Sequence, residues 1–229
     1  MELVLPHERV DDLLVNGLKI IQNPSAFCFG CDAVELANFV TGGVKDYAVD
    51  LGSGTGIITL LLAGKKGIRT TGVEIQPDMA DMSKRSIELN NLDNADIICT
   101  PMQKITDFIE SGSATIVVCN PPYRKVNTGE KQLQDSIAIA RHEIAVTLAE
   151  VVATAKKLLS TGGRFYMVHQ TERLGEVIAC CKANKLEPKV LQILTPNEEK
   201  PPHLFLLKCI YGAKEGLEVL PQRVVDTCV

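Results

Sequence analysis

The chain has 229 residues, a formal net charge of −4, a hydrophobic fraction of 45% and a charged fraction of 23%. This composition is typical of one large globular domain and excludes an intrinsically disordered or low-complexity chain. The acidic balance lacks the basic excess of most nucleic-acid-binding domains, so any contact with nucleic acid must come from a local patch.

The N-terminus and the cysteines indicate an intracellular environment. Proline and charged residues at 6–9 stand where the apolar core of a secretory signal would lie, and apolar runs such as residues 57–63 are shorter than the roughly 20 residues of a membrane span. We therefore expect a cytoplasmic protein whose eight cysteines are reduced. Cys28 and Cys31 form a C-x-x-C pair without a second pair at zinc-site spacing, so no metal is expected.

The predicted elements divide the chain into a helical or mixed segment, residues 1–43, packed on a domain of residues 44–229. In the first segment, the helical or mixed pattern comes from residues 11–14 and 32–37. From Val44 onward, short β-branched runs alternate with amphipathic segments, which is typical of a parallel sheet flanked by helices. Strands are predicted at 47–51, 69–74, 96–99, 115–119 and 164–169, and helices at 57–63, 77–90, 136–159 and 172–184, with a short turn after Met102. The last two runs, 189–195 and 203–211, leave no room for a crossover helix and should pair antiparallel.

A glycine loop follows the first predicted strand, with Asp50 before Gly52, Gly54 and Gly56. Glycines let the backbone approach a ligand closely, but a dinucleotide loop has the spacing G-x-G-x-x-G. The loop alone leaves a structural turn or a nicotinamide site open. It resembles the D-x-G-x-G-x-G loop of S-adenosylmethionine-dependent methyltransferases, in which the loop lies under the methionine part of the cofactor and the acid approaches its amine.

Glu74, at the end of the second predicted strand, provides a second test of the cofactor. A carboxylate there can accept two hydrogen bonds from ribose hydroxyls; the alternative is a solvated carboxylate at a strand end. The same resemblance implies that Ile75 and Met102 contact the cofactor, Met102 by packing on its adenine ring. Pro101 stands where many methyltransferases with this loop carry an acid that accepts a hydrogen bond from the adenine amino group of the cofactor, which a proline side chain cannot do.

Asn120, Pro121, Pro122 and Tyr123 directly follow the strand predicted at 115–119. The tetrapeptide resembles the motif of methyltransferases that act on adenine N6, cytosine N4 or the side-chain amide of Gln. Such a nitrogen has a delocalised lone pair and two N–H groups. The Asn120 side-chain carbonyl and the Pro121 backbone carbonyl can each accept a hydrogen bond from one of these N–H groups. Tyr123 offers a face for stacking. We expect Asn120, Pro121 and Tyr123 to be catalytic, with Asn120 also beside the cofactor.

Four further segments, residues 8–14, 19–22, 27–33 and 140–143, are similar to the bacterial valine-tRNA adenine-N6 methyltransferase family, whose members methylate the adenine just 3′ of the anticodon. The resemblance runs nearly end to end. It implies an α/β, Rossmann-like class I methyltransferase fold, with a seven-stranded, mostly parallel sheet, an antiparallel C-terminal strand and helices on both faces. It also places Phe29 and Asp32 close to the cofactor, S-adenosyl-L-methionine.

The substrate implied by this resemblance is the anticodon stem-loop of a tRNA, whose target base must be splayed into the pocket. The residues expected to contact it are Pro122, Tyr123, Arg124, Lys125 and Arg141. A monomer without membrane contact or obligate protein partner is expected. Two alternatives stay open: a protein-glutamine N-methyltransferase, because the same tetrapeptide serves an amide, and a non-catalytic module that binds S-adenosylmethionine or RNA.

Overall fold

The computed structural model describes residues 3–25, 28–122, 146–197 and 201–225. An antiparallel hairpin, β1 (Arg9–Asp12) and β2 (Lys19–Gln22), comes first and is followed by helix α1 (Cys31–Phe39). This part of the chain is mixed. The helical pattern at 32–37 lies in α1, whereas Asp11 and Asp12, whose pattern was compatible with a helix, lie in a strand.

The central sheet contains the predicted strands and the predicted antiparallel pair. Its seven long strands are β3 (Tyr47–Leu51), β4 (Arg69–Glu74), β5 (Ala95–Cys99), β6 (Ala114–Cys119), β7 (Leu159–Gln170), β8 (Leu186–Thr195) and β9 (Leu204–Tyr211). They lie in the order β8-β9-β7-β6-β3-β4-β5, with β3 to β7 parallel and β9 antiparallel to both β7 and β8. The mostly parallel sheet and the antiparallel strand near its C-terminal end are confirmed.

Two details of the sheet differ from the sequence prediction. β10 (Glu218–Val219) and β11 (Arg223–Val224) each pair with β8, so the described sheet has nine strands. Strands of two residues carry no periodicity that a sequence can reveal. β7 begins at Leu159, five residues before the predicted strand, because Leu159 already pairs with Ala114 ahead of a bulge in the register.

Helices cover both faces of this sheet. They are α2 (Ile57–Leu60), which continues as a π-turn through Leu61–Lys65, α3 (Pro77–Leu89), α4 (Leu148–Leu158) and α5 (Leu174–Ala183), with 3₁₀ turns at Met102–Asp107 and Thr171–Arg173. Thr147 begins α4 with a capping box to Glu150. Of the helix predicted at 136–159, residues 136–145 lie outside the described residues.

The core has two layers because successive side chains of each strand point to opposite faces of the sheet. Tyr166 packs with α1, α2 and α3 on one face, and its neighbour Phe165 packs with α4 and α5 on the other. Both aromatic side chains are fully buried. The helices are therefore fixed above and below the sheet, and the carboxyl ends of the parallel strands are left to form a site.

A buried ion pair fastens the N-terminal segment to α3. The Arg85 guanidinium donates to both carboxylate oxygens of Glu8 at 2.6 Å and to the Leu3 carbonyl at 2.7 Å. The side chain of Glu8 is 3% exposed, and the hydrogen bond from Arg85 lowers the pKa of Glu8. A bidentate pair with this geometry fixes both position and orientation of the hairpin.

Candidate active site

Three neighbouring parallel strands, β4, β3 and β6, end at one edge of the sheet and bring predicted site residues together. Leu51 at the end of β3 pairs with Val73 of β4 on one side and with Cys119 of β6 on the other. Gly52, Glu74 and Asn120 directly follow these positions and are therefore neighbours at the same edge. The chain runs from β3 to β4 on one side and returns to β6 on the other, which is the switch point where open α/β sheets bind ligands.

The glycine loop at this edge leaves Gly52 exposed and Gly54 half-buried, whereas Gly56 is buried. Gly52, Gly54 and Gly56 have φ angles of +76°, +55° and +85°, a conformation that side chains other than glycine rarely adopt. A Cβ on Gly54 would meet no described atom within 4 Å, and one on Gly52 would meet only Met102 Cε at 3.9 Å. A Cβ on Gly56 would lie 2.0 Å from Ser83 Oγ, so Gly56 allows the close approach of α3 instead.

Asp50 lies beneath the loop as a fully buried carboxylate. Its Oδ2 accepts a hydrogen bond from Thr59 Oγ1 at 2.9 Å, while Oδ1 is buried with no hydrogen-bond partner among the described residues. Burial raises the pKa of Asp50 to about 7 against the opposing hydrogen bond from Thr59, and the nearby Glu74 carboxylate adds to the rise. A buried acceptor that lacks a partner is stabilised by a cationic donor such as an ammonium group.

Glu74 is held at the adjacent strand end and is 4% exposed. Its Oε2 accepts the Gly54 N–H at 2.9 Å, and its Oε1 accepts the Gln76 N–H at 2.9 Å. Glu74 is therefore not a solvated carboxylate but a bridge between the glycine loop and α3. Its Oε1 also accepts a longer hydrogen bond from Gln76 Nε2, at 3.3 Å. Because an ionised carboxylate has about four acceptor positions, it keeps capacity for one more donor, such as a ribose hydroxyl.

Ile75 and Met102 lie beside this acid. Ile75 directly follows Glu74 and is half-buried, and the Thr100 N–H donates to the Glu74 carbonyl at 3.0 Å. Pro101 then begins the 3₁₀ turn that carries Met102. The Cε of Met102 lies beside Gly52, 3.9 Å from where a Cβ on Gly52 would be. An apolar thioether therefore borders the exposed loop backbone, an arrangement suited to a planar ring.

Asn120, Pro121 and Pro122 follow β6 on the other side of the loop and are half-buried, buried and exposed in turn. Asn120 Nδ2 donates to Asp32 Oδ2 at 3.1 Å, which links the tetrapeptide to the first turn of α1. Phe29, just before α1, is half-buried, and its N–H donates to Gln22 Oε1 at 3.2 Å. The structure thus places Asp32 against Asn120.

The remaining substrate-contact predictions fall outside the described residues: Tyr123, Arg124, Lys125 and Arg141.

At the end of β7, His169 is buried, stacks on Phe205 at 6.4 Å and accepts the Gln170 N–H at Nδ1. Burial, aided by the Arg173 charge, lowers the pKa of His169 to about 4, so its ring is neutral at physiological pH. His169 therefore packs as part of the core.

Sequence reasoning missed three groups of this edge: Thr59, Gln76 and the partnership of Asp32 with Asn120. Thr59 had a local signal, because it is the single hydroxyl in the apolar run 57–63. Gln76 had none, since its contribution to Glu74 comes mainly from its backbone N–H. Asp32 and Asn120 are 88 residues apart, and no spacing rule connects them.

In the ranges from residue 3 to 225 that the structure covers, no helix is long and apolar enough to cross a membrane. Within the same ranges, His, Cys, Asp and Glu side chains form no group of three that could hold a metal ion.

Comparison with known proteins gives consistent matches. The model of the methyltransferase small domain family matches residues 33–178. A tRNA1(Val) (adenine(37)-N6)-methyltransferase of Porphyromonas gingivalis is 25% identical over 195 residues, which cover 81% of this chain and 76% of the relative. The protein of the same name from Pectobacterium carotovorum is 24% identical over 213 residues, which cover 90% of this chain and 84% of the relative.

Solved structures agree on the fold. A predicted O-methyltransferase of Agrobacterium tumefaciens superimposes with a TM-score of 0.68 at 18% identity, covering 84% of this chain and 86% of that chain. Geranyl diphosphate C-methyltransferase of Streptomyces coelicolor, solved with S-adenosyl-L-homocysteine, gives a TM-score of 0.60 at 16% identity, with 79% and 76% of the two chains covered. At these identities the likeness concerns the Rossmann-like fold alone.

Proposed function

The chain belongs to the methyltransferase small domain family, and we propose that it transfers a methyl group from S-adenosylmethionine to N6 of an adenine in the anticodon loop of a tRNA. The observation that carries the proposal is the position of Asn120 one strand away from the exposed glycine loop. The printed names of the relatives, tRNA1(Val) (adenine(37)-N6)-methyltransferases, support the substrate.

The residues at the edge of the sheet fit the cofactor. Asp50 Oδ1 offers a buried acceptor for its ammonium group, the open backbone at Gly54 leaves room beside it, and Glu74 has acceptor capacity for a ribose hydroxyl. Ile75 and Met102 are the expected neighbours of its adenine ring. When bound, S-adenosylmethionine supplies an electrophilic methyl group on a sulfonium.

The chain's own contribution to the reaction is alignment. Asn120 Oδ1 and the Pro121 carbonyl accept the two N–H groups of the target amine, which directs the nitrogen lone pair away from them and toward the methyl carbon. Pro121 has no N–H of its own to compete for these acceptors. With S-adenosylmethionine bound, its sulfonium would act as the leaving group, and the surplus proton of the methylated nitrogen could pass to water, so the chain needs no strong general base.

Labelled S-adenosylmethionine tests this proposal when it is incubated with an unmodified valine tRNA transcript, DNA and a protein extract in parallel. We expect N6-methyladenosine in the transcript. We expect none when the adenine 3′ of the anticodon is replaced by guanine. Methylglutamine in protein would overturn the proposed substrate. Cofactor binding with no methyl transfer to any of the three would overturn the proposed activity.

Asn120→Ala tests the assignment of the acceptor. We expect turnover to be lost while the dissociation constant of S-adenosylmethionine, measured by calorimetry, stays close to that of the wild type. Asn184→Ala is the matched control, because Asn184 lies at the end of α5 and its side chain donates to the Cys180 carbonyl, away from the edge of the sheet. Full turnover by Asn120→Ala would overturn the mechanism.

A further inference from the structure

We propose that Asp32 is a positioning residue that fixes the orientation of the Asn120 side-chain amide, an inference that rests on the proposed function. The observation behind it is the hydrogen bond from Asn120 Nδ2 to Asp32 Oδ2, at 3.1 Å. It joins the first turn of α1 to the residue that follows β6. The resemblance in the sequence assigned Asp32 to the cofactor instead.

The direction of this hydrogen bond matters because the two ends of an amide are different. Nδ2 can only donate and Oδ1 can only accept. With Nδ2 turned toward the Asp32 carboxylate, Oδ1 of Asn120 is held on the other side of the amide. The flipped amide would bring Oδ1 against the Asp32 carboxylate, so two acceptors would face each other. The amine of an adenine presents N–H groups, and only the orientation with Oδ1 turned away from Asp32 can receive one.

Three features hold Asp32 in place for this task. Its second oxygen, Oδ1, accepts the Ala33 N–H at 2.9 Å at the N-terminus of α1, where the helix dipole favours a carboxylate. Leu36 and Ala37 of the same helix are buried in the core. A Cβ on Gly30 would lie 2.7 Å from Asp32 Oδ1, so the carboxylate occupies space that only glycine leaves.

The two roles for Asp32 make different predictions. A cofactor ligand that is removed weakens the binding of S-adenosylmethionine. A positioning residue that is removed lowers kcat while the dissociation constant of the cofactor stays unchanged, because the amide then spends part of its time in the unproductive orientation. Loss of a hydrogen bond to a charged acceptor corresponds to about a 10- to 100-fold fall in kcat.

The amide resonances of Asn120 test the hydrogen bond without any turnover. In a ¹H–¹⁵N spectrum the Asn120 side-chain pair is identified by its absence in Asn120→Ala. We expect Asp32→Ala to shift this pair and Glu35→Gln to leave it in place. Glu35 lies on the same helix and pairs with Arg223, so this control perturbs α1 without removing the Asp32 carboxylate. If the Asn120 side-chain amide resonances do not shift in Asp32→Ala, the inference is overturned.

Kinetics on the tRNA transcript test the consequence for the reaction. Asp32→Ala should lower kcat, and Asp32→Asn should recover most of it, since the carbonyl oxygen of the introduced amide can still accept from Asn120 Nδ2. Gly30→Ala should lower kcat in part with little loss of stability, because it displaces the carboxylate without removing it. Cofactor affinity should be unchanged in all of these variants.

A charge exchange gives the sharpest form of the test. Asn120→Asp alone places a second carboxylate against Asp32 and should be inactive. Combined with Asp32→Asn it restores a donor opposite an acceptor and should regain activity. If Asp32→Ala weakens cofactor binding as much as it lowers kcat, the positioning role is wrong while the proposed function stands. If the wild type methylates no tRNA, the proposed function is wrong, and the amide resonances still decide the orientation.

Discussion

Replacing Gly54 by alanine separates the backbone strain of the glycine loop from the space that the loop leaves open. Gly54 has a φ of +55°, and a Cβ there would meet no described atom within 4 Å. In the proposed function this open space belongs to the cofactor. The added methyl group should therefore be tolerated by the fold but should obstruct S-adenosylmethionine.

Gly17 provides a matched control for the strain. It has a φ of +68°, a Cβ there would also meet nothing within 4 Å, and it lies in the turn of the N-terminal hairpin, away from the edge of the sheet. Alanine at a positive φ costs about 1–2 kcal/mol of stability. For a chain of this size that is a fall in Tm of about 2–8 °C, and we expect it for both variants.

Only Gly54→Ala should lose cofactor affinity. Crowding a well-packed site with one methyl group costs about 1–3 kcal/mol, which corresponds to a rise in Kd of about 5- to 150-fold. Calorimetric titration of S-adenosylmethionine into both variants, with thermal melts of the free proteins, measures the two effects separately. An unchanged Kd for Gly54→Ala, or an equal rise for Gly17→Ala, would refute the assignment of the loop to the cofactor.

Three further predictions follow from the same contacts. Gly56→Ala should destabilise the protein more than Gly54→Ala does in thermal melts, because its Cβ would lie 2.0 Å from Ser83 Oγ; equal Tm values would contradict the packing described. Burial raises the pKa of Asp50 to about 7, and an ammonium partner favours the ionised form, so cofactor affinity should increase with pH up to about 7 and then level off. Calorimetry across this range should find no such slope in Asp50→Asn, and a slope that persists there would assign it to another group. The pKa of Glu8 lies below its ordinary value of 4.5, so its ion pair with Arg85 stabilises the fold above that pH and the contribution is lost as the pH falls through the lowered pKa. In urea unfolding at pH 7, Glu8→Gln should cost about 2 kcal/mol, and the difference from the wild type should shrink in acid; a difference that is constant with pH would exclude the ion pair as its cause.

Local patterns in the sequence determined the architecture and most of the proposed site. The alternation of β-branched runs with amphipathic segments predicted the parallel sheet, because each strand and helix buries one face at its own period. The spacing of Gly52, Gly54 and Gly56 predicted a loop with exposed backbone, since positive φ angles demand glycine. The position of Asn120 after a buried strand placed it at the carboxyl edge with Glu74.

The tertiary structure decided how these residues act on one another. The raised pKa of Asp50 comes from complete burial, which outweighs the opposing hydrogen bond from the Thr59 hydroxyl, and a sequence shows neither solvent exposure nor distance. The hydrogen bond between Asp32 and Asn120 depends on α1 packing against α2, β7 and β9, which brings the first turn of α1 to the residue that follows β6. The strand sequences set where each side chain enters the edge of the sheet, but only the packing of distant elements sets which donor meets which acceptor, because hydrogen bonds form over about 3 Å whatever the separation along the chain.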